Sequence, residues 1–456
     1  MSLKHVLSLV AAATLASTAA SAQPFPPDGA FVPGTQGSRN MKVMSHIPLG
    51  RIFTVTDVDV EQELSRPYAY VSRMHGITNE AGFNIISLKN PEKQSVLYYW
   101  RINQPELHKG LGGMAPVYLK AKGRYYFAQS FQWAAGSPDH DLGAVVFDVT
   151  GLPDTTKIKE VARLRTPQNP GGFHEMFGYK HSDGRAFLVT QVGGPFANLY
   201  DIEKVAAGDG NAAGRVPIPE NPTAPGRGYH DFYVGYDVAN KRDIFYGAGS
   251  GGYHLYDITD IANPKLLQTI TGGSGVQNGH TFTPDPTGRY AIAETEYQYA
   301  PLRVYDMKPS GDTLARTVGR PVGAWTARWQ GLAHNHEVRW PYVFVSGYED
   351  GLQIFNMMDP TNPYTVGFYD TYDGPNQRGW GGADSPETGR GVTSGAFGID
   401  VRNADGLIVI GDFHTGFWTF KMEGFDGWNG RQWGMPNISS AQDWDNGPEG
   451  APKKIS

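Results

Sequence analysis

The stretch GLAHNHEVRW, residues 331–340, sets His334 and His336 two positions apart, with Glu337 directly behind. In a strand such neighbours point the same way, so both imidazoles would share one face. Three further segments carry a histidine in a like setting: GGFHEMFGY with His174, GYHDFYVGY with His230 and NGHTFTPD with His280. Counted on to His336, the intervals are 56, 50 and 56 residues. Histidines recurring at one structural position converge, and two imidazolium charges about 4 Å apart repel by roughly 4 kcal/mol at an effective dielectric near 20. Such a group stays neutral or binds a cation through its lone pairs, and neutral imidazole is the commonest metal ligand. The expectation is a divalent metal ion (Mn, Fe, Zn or Cu) held by His174, His230, His280, His334 and His336. The chain has no cysteine, so its ligands are nitrogen and oxygen and thiol chemistry is excluded. Glu175, Asp231 and Glu337 each follow one of these histidines and are expected to hold the second N–H of an imidazole on an adjacent strand.

The elements that position these residues show as a repeat. An apolar–aromatic–Asp pattern recurs as VVFDVTGLP (Asp148), NLYDIEK (Asp201), HLYDITDIANP (Asp257), RVYDMKP (Asp306) and QIFNMMDPTNP (Asn356). Degenerate copies are NIISLKNPEK (Ser87) and FWTFKMEG (Lys421). The spacing averages about 56 residues, the period of a repeat architecture. Another strand precedes most copies (RAFLVTQ, YVFVSG), usually across a glycine-containing hairpin, and a third follows several of them (KLLQTI). Seven units of three or four strands read as an all-β, seven-bladed β-propeller. The recurrent Asp reads as a turn residue bonded to backbone just past its strand. NMKVMSHIPLG (40–50) is expected to complete the last blade and close the ring. The domain reading is a signal peptide over 1–22, an extension over 23–40, the propeller over 41–424 and an irregular tail over 425–456.

In that frame the histidine-bearing strand entrances and the hairpins between second and third strands open on one face. The hairpins bring His75, Asp139 and His140, Glu296 and Tyr297, Glu349 and Asp350, and His414 to its rim. The long stretches 204–228 and 370–395 would wall a funnel there, supplying Arg227 and Arg390 for an anionic group. Trp133, Tyr297, Trp329, Tyr348, Trp380 and Phe413 would give it aromatic walls. His46, His108, His181 and His254 fall outside the pattern as surface or strand residues. Asp57, Asp59, Glu61 and Glu63 in DVDVEQE share one face of a strand and read as a solvated edge. No Gly-x-Ser-x-Gly elbow is present.

Lys4, the apolar run Val6–Ala16 and Ala20-Ser21-Ala22 have the layout of an export signal, too short to span a bilayer. The expectation is a periplasmic or secreted protein without membrane insertion. A net charge of −6 excludes the basic surface that nucleic acid needs, which leaves a small-molecule substrate.

The apolar-aromatic-Asp strand followed by Asp-x-x-Asn-Pro, in DITDIANP and MMDPTNP, resembles the LVIVD-repeat propellers exported by bacteria. That resemblance spans residues 41–424 and implies the fold, with no activity attached. The His-x-His pair with Gln330 nearby is similar to the ligand set of manganese-dependent oligogalacturonate lyases. It implies His280, His334 and His336 as ligands, with His230 or His174 as base. Four histidines from four blades resemble the iron site of carotenoid-cleaving oxygenases, and copper-dependent methanethiol oxidases are also similar. Those likenesses imply an oxidoreductase in which His174, His230, His280 and His336 are all ligands. A lyase acting by proton abstraction and elimination is the leading expectation. The alternatives are an iron or copper oxidoreductase and a non-catalytic binding or scaffold propeller.

Overall fold

The computed structural model describes residues 36–50, 54–74, 80–108, 113–119, 122–132, 139–219, 228–273, 276, 278–307, 316–317, 320–329, 331–372 and 394–430. Seven separate antiparallel sheets follow one another along the chain, the architecture of a seven-bladed β-propeller. Their innermost strands are Val55–Val60, Met114–Leu119, Met176–Lys180, Tyr229–Asp237, Phe282–Pro284, Asn335–Arg339 and Ala396–Val401, which name blades one to seven. Among the described residues six blades hold four strands, and blade four gains the short Arg316–Thr317 parallel to its outer strand Lys265–Thr271. The strand Met41–Ile47 pairs antiparallel with Gly416–Met422, so the last blade is built from both ends of the ring, as the sequence implied.

Each blade is too thin to bury both faces alone, so apolar side chains fill the interblade gaps. Phe83 of blade one meets Phe127 and Phe147 of blade two, with centroids 4.6 and 5.0 Å away. Blades seven and one approach more closely. A Cβ on Gly398 would lie 2.6 Å from the Cα of Asp57, so only glycine fits where the ring closes. The recurrent Asp does serve the turns. Asp148, Asp201 and Asp257 accept the backbone N–H two residues on at 2.9, 3.0 and 3.0 Å, and Asn356 does the same at 2.8 Å. At Asp201 that bond also caps the short helix Ile202–Ala206.

One expectation fails. Strand Val55–Val60 is buried throughout, and Asp57, Asp59 and Glu61 with it, so DVDVEQE is no solvated edge. Alternation fixes which residues share a face, but not whether that face meets solvent or the propeller axis. Of the tail, Phe425 packs on Phe344 and Trp428 donates its indole N–H to the Trp340 carbonyl at 2.9 Å. The expected signal peptide, most of the extension and residues 431–456 lie outside the described residues. No helix among the described residues is long and apolar enough to cross a membrane.

Candidate metal centre

Blades three to six each send one imidazole to the same end of the axis. The rings of His174 and His230 lie 4.3 Å apart, His230 and His280 4.2 Å, and His280 and His334 4.9 Å, centroid to centroid. A metal ~2.1 Å from each nitrogen lies about 3.2 Å from each ring centre, so two ligands at right angles hold their centroids about 4.5 Å apart. The spacing of neighbours here matches that figure. His230, His280 and Glu296 each offer a ligand atom within 4.8 Å of the others. The buried Nε2 of His280 has no hydrogen-bond partner among the described residues and lies 3.8 Å from Glu296 Oε2. These residues fit a transition-metal ion.

The second nitrogens of His174, His280 and His334 are held. Nδ1 of His174 lies 2.9 Å from Gln132 Oε1, and Nδ1 of His334 lies 2.9 Å from the Phe397 carbonyl. Nδ1 of His280 lies 3.1 Å from Thr281 Oγ1 and 3.5 Å from Glu294 Oε1. Each bond fixes its ring and leaves Nε2 free of that contact, as in histidine metal sites generally. Tyr348 donates its hydroxyl to Glu296 Oε1 at 2.6 Å, leaving Oε2 beside His280. Its backbone sits at φ 45, a conformation rare for tyrosine, and pairs with Ala396 of blade seven.

The structure corrects the assignment of the His-x-His pair. His334 continues the row, whereas His336 turns to blade five, with Nε2 2.6 Å from Thr283 Oγ1 and Nδ1 3.2 Å from Glu294 Oε2. His334 precedes the first strand residue, Asn335, so the two-residue alternation of the strand does not extend to it. Glu175, Asp231 and Glu337 do not hold the second nitrogens either. They line an axial cavity of about 70 Å³ one residue further along the inner strands, together with Asp57 and Asp59.

Of the expected rim, Tyr297 sits half-buried in the turn after Glu296, and His414 stacks on Tyr372 at 4.3 Å, its Nδ1 accepting the Gly395 N–H. Glu349 pairs with Arg328 at 2.9 Å. His75, Arg227 and Arg390 lie outside the described residues, as do Trp133, Gln330 and Trp380. The sequence reading missed Gln132 and Glu294. Neither follows a histidine in the chain, and both arrive from second strands of their blades. Gln132, just past RYYFAQS, was legible only once a blade register was known.

Burial holds the His280 imidazole well below its usual range, helped by the neighbouring His230, His334 and His174. It pushes His334 down to about 3 against the opposing bond to Phe397, and His336 to about 3. The acids move the other way. Burial raises Asp57 to about 8 and Asp231 to about 7, with adjacent carboxylates adding to the Asp57 shift. A group whose folded pKa is raised contributes stability that is full below its unfolded pKa and is lost as pH climbs toward the folded value. For Asp57 the window runs from 3.8 to about 8. In chelator-treated protein, Asp57→Asn is expected to flatten the fall of stability across that window, by up to about 1.4 kcal/mol per pH unit. Urea unfolding at several pH values checks it, since the histidine contributions, which run oppositely, cancel between the two proteins.

The chain matches no protein-family model, and a search of curated proteins finds no match either. The seven-bladed propeller therefore stands on the sheets themselves, and the site on its own geometry.

Proposed function

We propose that this protein is a metal-dependent oxidoreductase acting on a small molecule that enters at the histidine-bearing end of the axis. One observation carries the reading: imidazoles from four consecutive blades stand in a row with neighbouring centroids 4.2 to 4.9 Å apart, and His230, His280 and the Glu296 carboxylate at its middle lie close enough to share one ion. Two imidazoles and a carboxylate with open positions are the donor set of non-haem iron, and imidazole also suits copper; either supplies redox chemistry when bound. The chain's own part is to keep His280 and His334 unprotonated by burial, orient three rings through Gln132, Thr281 and Phe397, and present Glu296 through Tyr348. The resemblance to four-histidine oxygenases agrees with this arrangement once His334 takes the place of His336. A periplasmic or secreted location, from the signal-like first residues, is part of the proposal.

The lyase reading loses its ligand set, because His336 is bonded to Thr283 and Glu294. It keeps one support: the Glu296 carboxylate, beside His280, is placed to act as a base. Elemental analysis of protein purified without a histidine tag separates the two. Iron or copper near one per chain is the expected result; manganese or zinc would favour elimination, and a chain that takes up no metal would favour a scaffold. A paired substitution tests the ligands: His334→Ala, at the end of the row, is expected to weaken metal retention, and His336→Gln to leave it unchanged.

A further inference from the structure

The axis carries a second feature that the histidine site does not use. Asp57 and Asp59 of blade one, Glu175 of blade three, Asp231 of blade four and Glu337 of blade six line the same cavity of about 70 Å³. Arg339 offsets part of that charge through Glu337, at 2.6 Å. Asp57, Glu175 and Asp231 make no ion pair among the described residues. An isolated buried carboxylate is costly, and several facing one cavity compound the cost, unless a cation joins them. A second, independent observation points the same way. Tyr233 lines this cavity, is 7% exposed, and its hydroxyl is buried without a hydrogen-bond partner among the described residues. A phenol oxygen left unsatisfied there lacks a partner that the cavity's occupant can supply.

We infer that this cavity binds a hard divalent cation, Ca²⁺ by preference, separate from the histidine-held metal. Oxygen donors select such ions, as nitrogen donors select transition metals. The geometry sets the manner of binding. The carboxylate trio that could share one bare ion within 4.8 Å is not found among the described residues, where the qualifying group is His230, His280 and Glu296. The ion is therefore held with part of its water shell. About 10–15 Å³ of such space admits one water, so the cavity has room for an ion and several waters. Bound water would also satisfy the Tyr233 hydroxyl.

The test uses the full chain, stripped with chelator and titrated with calcium chloride by calorimetry. One Ca²⁺ per chain is expected, with a rise in melting temperature. His280→Ala should still bind this ion while losing the transition metal, and Asp57→Asn should weaken Ca²⁺ at least tenfold while keeping the transition metal. Those two outcomes fail independently, so the oxidoreductase reading and this one are judged apart. Wild-type protein that binds no Ca²⁺, or Asp57→Asn that binds it as wild type does, overturns the inference. If Asp57→Asn fails to fold, Tyr233→Phe, expected to weaken Ca²⁺ several-fold, takes its place, and unchanged affinity there also overturns it.

Discussion

His280→Ala is expected to abolish metal retention, lowering affinity by more than about 100-fold, since loss of a partner that merely orients a ligand already costs 10- to 100-fold. His280 stands in the middle of the row, 4.2 Å from His230 and 4.9 Å from His334 by ring centroid, with Glu296 beside its Nε2. Removing it breaks three contacts at once, where removing His174 or His334 would trim an end. Metal content after gel filtration, measured against the wild type, decides the matter. Stoichiometric metal in the variant would place the ion elsewhere. The same variant should resist acid better than the wild type. A histidine whose folded pKa is depressed lowers stability as pH drops below its unfolded value, near 6.5, and alanine removes that penalty.

Arg339→Met is expected to cost about 3–5 kcal/mol of stability, the usual penalty for leaving buried charges without their partner. Arg339 is fully buried, and its guanidinium donates to Glu337 at 2.6 Å, Asp400 at 3.2 Å, Asn403 at 2.5 Å and the Val401 carbonyl at 2.6 Å. It thus ties blade six to blade seven at the axis. Adding Asp400→Asn to the variant should recover part of the loss, because one orphaned carboxylate is then neutral. Urea unfolding of the single and double variants checks both figures. A loss below about 1 kcal/mol, the worth of an exposed pair, would mean that the network is wet.

The repeat, its turn-forming Asp residues and the closing strand were all readable in the sequence, because each depends on local pattern and on a fixed period. The gathering of the histidines at one end of the axis was readable to within one register step. Intervals of 56, 50 and 56 residues located the blades but assigned His336, and the structure shows His334 in the row. That step depends on where pairing in the strand begins, which spacing does not encode. Gln132, Glu294 and the Tyr348–Glu296 bond depend on contacts between blades, so no chain-local signal announces them. The acids of DVDV were visible and misplaced for a related reason. The same alternation describes a strand facing water and a strand facing a hub.

The closure of the ring has a consequence for how the chain reaches its native state. The strand 41–47 is made first and finds its partner, 416–422, only after nearly all the intervening chain exists. Until then it is an exposed sheet edge, and its capture comes late in folding. A nick or permutation that detaches this strand should therefore leave the other blades able to form while lowering the barrier to opening between blades seven and one. In the intact chain that seam is expected to work as a latch, with unfolding rates more sensitive to substitutions in strand 41–47 than to comparable ones within a single blade.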